Sequence, residues 1–354
     1  MSIKSLDIFK KKFDREIEAY LDLVITDVKK RDGIMAEAAR YIKKMALSGG
    51  KRLRPALMYY GYLAAGGKEK EKMLKTSVSI ELIHLFLLIH DDIIDRDQKR
   101  HGLDSMNFRF EKIGGRIFPK KDHAHFGNSM AIIIGDMVGA LGNEIIFSSK
   151  FQPEYVMRAL TMLQRIIWNT VIGQSQDIYI EYRGKASEKE VLKMYENKTA
   201  RYTVEGPLQL GATLAGADDN FIEKLSRYAL PIGTAFQIQD DILGIFGSEK
   251  KLGKSVGSDI AEGKQTLLVV KAREKADIVQ SRIMKNILGK KDLSQKEIEE
   301  FRKIIVETEA LDYANNLARK MIQEGKDELG KIKMEPEAKE FLANVADFMI
   351  EREL

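Results

Sequence analysis

Residues 81–97 read Glu81-Leu-Ile-His84-Leu-Phe-Leu-Leu-Ile-His90-Asp91-Asp92-Ile-Ile-Asp95-Arg96-Asp97, an apolar run that ends in carboxylates. In a helix, Asp91 and Asp95 lie on one face, about 6 Å apart, with Asp92 beside them. Carboxylates this close repel each other, and a hard divalent cation such as Mg²⁺ relieves the repulsion because it prefers oxygen ligands. The stretch therefore predicts a helix that ends in a metal site; the alternative is a solvated acidic helix end.

A second segment repeats this pattern. Residues 236–244 read Phe-Gln-Ile-Gln-Asp-Asp-Ile-Leu-Gly, an apolar helix with the paired aspartates Asp240 and Asp241. Two such clusters that face each other across a helical bundle could hold several metal ions around one polyanion, because bundles build metal sites from facing helices. A third pair, Asp218-Asp219, precedes an apolar run and instead predicts a helix N-cap with acid in the first turn.

The composition indicates an all-α protein. Only six of the 354 residues are proline, 44% are hydrophobic, and apolar residues recur with a period near 3.6. We expect one domain over residues 1–354, with a motif-bearing core at about 45–270 and outer helices at about 270–354. The absence of cysteine excludes thiolate metal sites and fits a reducing, cytoplasmic location.

Charge and hydropathy narrow the range of partners. The 58 basic and 53 acidic residues are interspersed, which indicates a solvated surface and not a nucleic-acid-binding stripe. The first residues have no apolar segment of the signal-peptide type. The most membrane-like run, residues 130–147, contains Asp136, Asn143 and Glu144, so we expect a buried core helix and no membrane span.

A basic turn precedes the first acidic motif. Gly50-Lys51-Arg52-Leu53-Arg54-Pro55 leads into a helix that begins near Pro55, and its backbone amides and cations could hold a phosphate. A surface basic turn is the alternative. His84 lies two turns before Asp91 on the same helix face, where it is either a core histidine or a group facing the phosphate.

The remaining elements follow from periodicity and capping. We predict a long loop at 96–128, an acidic-motif helix at 72–95, and capping boxes that begin at Ser187 and Ser294. The glycine- and lysine-rich segment 253–264 predicts a lid over a phosphate. Further helices are predicted at 6–30, 33–47, 154–182 and 221–246.

These stretches, in this order, resemble the trans-isoprenyl diphosphate synthases, or polyprenyl synthetases, over roughly residues 45–270. The resemblance implies a helical bundle around a deep central cavity and a homodimer. The matching pieces are Gly50-Lys51-Arg52-Leu53-Arg54-Pro55, Asp91-Asp92-Ile-Ile-Asp95 followed by Arg100, Gly135-Asp136, Gln174 with Asp177, Lys198-Thr199, Gln237 with Asp240-Asp241, and Gly253-Lys254 through Asp259 and Lys264.

The resemblance also implies roles for individual residues. Asp91 and Asp95 would ligate two Mg²⁺ ions, Asp92 would support them, and Asp240, beside Asp241, would hold a third. The allylic diphosphate (dimethylallyl, geranyl or farnesyl) would be bound by Arg100, Lys198 and Lys264, with Lys254 close by. Isopentenyl diphosphate would be bound by Lys51, Arg54 and His84, while Thr199 and Gln237 would face the reacting carbon.

The implied reaction is ionisation, condensation and elimination. Metal ions and cations stabilise the departing pyrophosphate, the alkene of isopentenyl diphosphate attacks the allylic carbocation, and the released pyrophosphate takes the proton. A non-catalytic subunit of a heteromeric synthase is one alternative. A class I terpene cyclase is another, but it needs no isopentenyl site.

Two positions depart from the family pattern. His101 stands where the family usually has a second arginine that contacts isopentenyl diphosphate, so we expect weaker or more pH-dependent binding of that substrate. Gly244 stands where the second motif usually ends in aspartate, which leaves the water-mediated part of the third metal shell without its usual carboxylate.

Product length depends on the cavity depth. Phe86, five residues before Asp91, is bulky, whereas Leu87 is smaller. Helix spacing alone does not choose between them. The arrangement resembles archaeal-type geranylgeranyl synthases, in which an aromatic residue there forms the cavity floor, so we expect a C20 product, with C15 as the alternative.

Overall fold

The fold, taken from a computed structural model that describes residues 3–247 and 257–350, is all-α as expected. Residues 253–256 of the predicted lid, Lys254 among them, lie outside the described residues. The N-terminal half contains α1 (Lys4–Val28), α2 (Gly33–Leu47), α3 (Leu53–Ala64), α4 (Lys70–Thr76), α5 (Val78–Ile94), a two-stranded hairpin of β1 (Lys99–Arg100) and β2 (Leu103–Asp104), α6 (Met106–Ile117), α7 (His123–Phe147) and α8 (Pro153–Arg183).

The C-terminal half is also helical. It contains α9 (Glu188–Tyr195), a π-helical segment (Glu196–Glu205), α10 (Gly206–Leu214), α11 (Asp219–Phe246), α12 (Ser258–Glu262), α13 (Leu267–Lys275), α14 (Ile278–Ile287), α15 (Gln295–Glu307), α16 (Ala310–Lys331) and α17 (Pro336–Ile350). The hairpin is antiparallel and pairs Lys99 with Asp104.

The predicted helix caps are confirmed. The Ser187 and Ser294 side chains both form complete capping boxes, with Glu190 and Glu297 respectively. The Asp218 carboxylate accepts a hydrogen bond from the Phe221 backbone amide, as an N-cap should. The pair Asp218-Asp219 therefore begins a helix, and it does not have the role expected of Asp240-Asp241.

Two sequence predictions are wrong. The predicted helix at 72–95 is broken at Ser77 into α4 and α5. The predicted loop at 96–128 contains the hairpin, α6 and the start of α7. The glycine pair at 114–115 suggested a loop, but Met106 and Phe110 lie one turn apart and are both fully buried, so a helical apolar face outweighs the two glycines.

Helices α5 and α7 pack closely through small residues. A Cβ at Gly139 would lie 3.3 Å from the Phe86 ring, and a Cβ at Gly135 would overlap the His90 ring. Helix α7 is also the one described helix that is long and apolar enough to cross a membrane, by length and composition only. One face packs on α5 and α6, while Ile132, Ile133 and Phe147 are exposed, so the expected core helix is only partly buried.

The C-terminal helices, expected as an outer layer, also supply core side chains. Helix α16 packs along α11, and α17 packs against α3. The Phe341 ring stacks on Tyr60 with centroids 3.7 Å apart, and the Tyr228 hydroxyl donates to the Leu342 carbonyl at 2.8 Å. The motif-bearing helix α11 is thus held from behind by the last two helices.

Candidate active site

The first acidic motif lies at the C-terminal end of α5. The Asp91 carboxylate accepts a hydrogen bond from Gln174 Nε2 of α8 at 2.9 Å. Asp95 caps the helix, and its Oδ1 lies 3.6 Å from Lys264 Nζ. Both carboxylates therefore face α8 and the segment that follows α12, as expected for two residues one turn apart on the same helix face.

Asp92 points elsewhere. It is fully buried, and one of its oxygens accepts from Arg100 Nε at 2.6 Å, while Arg100 also lies 3.3 Å from Asp97. Burial raises the pKa of Asp92 to about 6, although the Arg100 guanidinium opposes the shift. Asp92 holds Arg100 in place at the hairpin.

Two lysines from distant parts of the chain share one buried carboxylate. Lys198 Nζ lies 2.5 Å and Lys264 Nζ 3.3 Å from Asp177 Oδ2. Lys264 also lies 3.0 Å from Glu181. Burial alone would raise the pKa of Asp177, but the two ammonium groups lower it overall. The result is a pair of aligned cations beside Asp91 and Asp95.

In the second acidic motif, as in the first, one aspartate is buried and hydrogen-bonded to other side chains. Gln237 accepts from the Thr199 hydroxyl at 2.6 Å and donates to Asp241 at 2.8 Å. Asp241 is buried and also accepts from the Tyr195 hydroxyl, and burial raises its pKa well above the ordinary value. Asp241 therefore braces Gln237 and Tyr195, whereas Asp240 is the less buried member of the pair.

The structure explains why glycine stands at position 244. A Cβ at this position would overlap the Asp259 carboxylate. The space next to the second motif that an aspartate at 244 would fill is thus taken by a carboxylate from α12. This contact joins residues fifteen positions apart, and the sequence pattern alone contains no signal for it.

The three basic side chains of the turn point in different directions. Arg52 is buried and donates to Asp14 at 2.7 Å and to Glu81 at 2.6 Å, so it ties α1 to α5. Lys51 is exposed, with its Nζ 4.4 Å from the Phe348 ring centroid. Arg54 is half-buried and points towards α5 and the π segment. Arg52 is thus engaged inside the protein, whereas Lys51 and Arg54 are more exposed.

Arg54 and His84 meet, and both contact the π segment. Arg54 NH1 lies 3.2 Å from His84 Nε2, and Arg54 NH2 donates to the Thr203 hydroxyl at 2.9 Å. The Tyr202 hydroxyl is hydrogen-bonded to His84 Nδ1. Burial and Arg54 lower the pKa of His84 well below its ordinary value, so the ring is neutral. Sequence reasoning missed Tyr202, Thr203 and Phe348.

His101 lies at the tip of the hairpin. Its φ is 49°, in the left-handed region, and its side chain is exposed. It lies beside Gly49, close to the basic turn. The residue that departs from the family pattern therefore lies near the basic turn, and its charge acts on His84.

Phe86 and Leu87 lie further down α5. Both are half-buried, and the Phe86 ring meets the His90 ring edge-on, with centroids 4.9 Å apart. Phe86 also rests on Gly139 of α7. Contacts to both α7 and His90 hold the ring of Phe86 about one and a half turns below Asp91.

The donor set suits a divalent cation bound together with a ligand. The carboxylates of Asp91 and Asp95 supply oxygen only, and residues 3–247 and 257–350 contain no group of three His, Cys, Asp or Glu residues close enough to hold a metal alone. Mg²⁺ needs no such group, because it usually keeps waters and takes the rest of its ligands from substrate phosphates.

Comparison with known proteins decides the family. The polyprenyl synthetase family model matches residues 34–305. The chain belongs to that family. This synthase is 35% identical over 317 residues to the geranylgeranyl diphosphate synthase of Methanosarcina mazei, with 90% of this chain and 89% of the relative covered. It is 33% identical to the geranylfarnesyl diphosphate synthase of Aeropyrum pernix, with 80% and 83% covered.

A solved structure agrees with the fold of the synthase. The geranylgeranyl pyrophosphate synthase of Corynebacterium glutamicum, solved in complex with isoprenyl diphosphate and magnesium, superposes with a TM-score of 0.91. It is 30% identical, and 98% of this chain and 99% of that one are covered. The expected isoprenoid-synthase fold is confirmed, and the synthase is a trans-prenyltransferase.

Proposed function

We propose that the synthase condenses isopentenyl diphosphate with allylic diphosphates (dimethylallyl, geranyl and farnesyl) and makes geranylgeranyl diphosphate, with farnesyl diphosphate as the alternative product. The observation that supports the proposal is that the cations form two groups with different partners. Lys198 and Lys264 share Asp177, and Lys264 lies 3.6 Å from Asp95, whereas Arg54 contacts His84 and Thr203. Two diphosphates need two such half-sites.

The first half-site binds the allylic diphosphate. Lys198, Lys264 and Arg100 would surround the leaving group, and we propose the same role for Lys254, which lies outside the described residues. Asp177 and Glu181 hold Lys264 in an extended position, and Asp92 does the same for Arg100. Cations that are already oriented stabilise charge that develops on the departing pyrophosphate, because they need little reorganisation during the reaction.

Asp91, Asp95 and Asp240 would hold Mg²⁺, and we propose three ions in each active site. The bound ions would neutralise the pyrophosphate and weaken its bond to the allylic carbon. Asp92 and Asp241 are buried, with hydrogen bonds from Arg100 to Asp92 and from Gln237 and Tyr195 to Asp241, so we place them outside the ligand set.

The second half-site binds isopentenyl diphosphate. Lys51 and Arg54 would contact its diphosphate, with His84 behind them and His101 at the rim. Thr199 and Gln237 are hydrogen-bonded to each other and would face the reacting carbon, where their oxygens stabilise positive charge. The alkene attacks the allylic cation, and the departing pyrophosphate accepts the proton that is then lost.

We propose a homodimer of single-domain chains that works in the cytoplasm without nucleic acid or a membrane span. Helices α7 and α8 present many large apolar side chains to solvent, and exposed apolar patches of this kind mark interaction surfaces. We call these residues the α7–α8 face: Ile132, Ile133, Phe147, Met157, Trp168, Val171, Ile172 and Tyr179.

A product assay tests the function. Purified protein, Mg²⁺, labelled isopentenyl diphosphate and a C5, C10 or C15 allylic starter are incubated, and the dephosphorylated alcohols are sized. We expect a discrete C20 alcohol, or C15, and no product with a chelator. Asp91→Asn should abolish incorporation, whereas Asp219→Asn in the N-cap pair should not. Failure of the unchanged protein with every starter would favour a silent subunit instead.

A further inference from the structure

Tyr202 lies at the centre of the basic half-site without belonging to any motif. It is buried in the π segment, and its hydroxyl is hydrogen-bonded to His84 Nδ1. Its ring lies under the Arg54 guanidinium, with 4.5 Å between the guanidinium carbon and the ring centroid. One side chain therefore contacts both groups that would meet the second diphosphate.

The Arg54 contact assigns the tautomer of His84. Every nitrogen of a guanidinium is a donor only, so His84 Nε2 must carry a lone pair to accept from Arg54 NH1 at 3.2 Å. The ring is neutral because burial and the Arg54 charge disfavour the imidazolium. The proton of His84 is therefore on Nδ1 and is donated to the Tyr202 hydroxyl oxygen.

Arg54 is held in place from three directions. His84 accepts from NH1, Thr203 accepts from NH2, and the Tyr202 ring lies against the face of the guanidinium. Arg54 Nε is buried and makes no hydrogen bond within the described residues. NH1 and NH2 each carry a second N–H, so a guanidinium fixed on a ring face still has donors for an acceptor such as a phosphate oxygen.

We propose that Tyr202 is a positioning residue for the isopentenyl diphosphate half-site. Its hydroxyl holds the Nδ1–H tautomer of His84, and its ring holds the plane of Arg54. The inference rests on the proposed function, because it needs a second diphosphate at Arg54. It extends that function to a residue outside the motifs that bind metal ions or substrate.

The first experiment is steady-state kinetics on Tyr202→Phe. This variant keeps the ring against Arg54 and removes only the hydroxyl. We expect the KM for isopentenyl diphosphate to rise about fivefold to tenfold, as for the loss of one hydrogen bond, with the allylic KM and kcat changed less than about twofold. Tyr228→Phe removes another buried hydroxyl, which donates to Leu342, and serves as the matched control.

A second variant separates the ring from the hydroxyl. Tyr202→Leu removes both contacts, so its KM for isopentenyl diphosphate should exceed that of Tyr202→Phe. Equal KM values for Tyr202→Phe and the unchanged protein would overturn the proposal, as would equal changes in both substrates' KM values. If Tyr202→Leu fails to fold, the Tyr202→Phe comparison still decides the outcome.

The tautomer gives a readout that does not depend on catalysis. The chain has five histidines, and long-range ¹H–¹⁵N spectra of ¹⁵N-histidine-labelled protein distinguish protonated from unprotonated ring nitrogens. We expect His84, assigned by its loss in His84→Gln, to carry its proton on Nδ1. A proton on Nε2 would contradict the proposed contact. Absence of isopentenyl incorporation by the unchanged protein would instead contradict the proposed function.

Discussion

At the scale of single residues, neighbouring side chains have different structural roles. Lys51, Arg52 and Arg54 read as one basic turn, yet Arg52 pairs with Asp14 and Glu81 inside the protein. The sequence predicted the turn and its helix, because both depend on local signals. It could not predict which way each of the three side chains points, because the partners of Arg52 lie 38 and 29 residues away in the sequence, on other helices.

Arg52→Ala should therefore act on stability. Removing a buried cation leaves Glu81 buried without its partner, so we expect the free energy of unfolding to fall by about 3 kcal/mol. Lys51→Ala, at an exposed position, should change it by less than about 0.5 kcal/mol and instead raise the KM for isopentenyl diphosphate. Urea unfolding and steady-state kinetics measure the two effects, and a stable Arg52→Ala protein would refute the structural role.

Gly244→Ala should gain less stability than a glycine-to-alanine change normally gives in a helix. Such a change normally stabilises a helix by up to about 1 kcal/mol, but here the new methyl group requires the Asp259 carboxylate to move. Gly330→Ala, where no atom lies within 4 Å of the new Cβ, is the matched control and should be neutral or stabilising. The thermal unfolding midpoint should thus rise more for Gly330→Ala than for Gly244→Ala; equal shifts would exclude the contact.

At the scale of helices, the packing of α5 on α7 sets the position of the Phe86 ring. The sequence singled out Phe86 by resemblance, but its support from Gly139 depends on the distance between two helices. The π segment was not predictable either, because i→i+5 bonding has no sequence pattern comparable to apolar periodicity. The 96–128 error is of another kind, since there two glycines were given more weight than a local apolar face. Helices and caps were predictable because their signals are local.

Phe86→Ala should lengthen the product, since it removes the proposed floor of the cavity. Adding Gly139→Leu should refill the space from α7 and return the product towards the original length. The double variant Phe86→Ala with Gly330→Leu, which places the same leucine at an exposed position, should keep the longer product. Chromatography of the alcohols measures all three, and an unchanged product in Phe86→Ala would remove the floor assignment.

At the scale of the whole molecule, the α7–α8 face is the main exposed apolar surface that the motifs do not explain. We expect the chain to elute as a dimer, and Trp168→Glu to shift it towards the monomer, because a buried charge without a partner is costly. Ile278→Glu, at another exposed apolar position on α14, should leave the dimer intact. Light scattering after size exclusion gives the masses, and a monomeric unchanged protein would contradict the proposed assembly.

The π segment also constrains how this chain can vary in length. Its hydrogen bonds join residues five apart, whereas those of an α-helix join residues four apart. Deletion of a single residue would therefore restore regular α-helical bonding. Everything beyond the deletion would then rotate by about 100° relative to what precedes it. Lys198, which faces Asp177, and Tyr202, which faces His84, could no longer keep both partners. The extra residue thus sets the relative orientation of the two proposed diphosphate half-sites. Deletion of one residue there should lower activity, whereas deletion of one residue in the 118–122 turn should not.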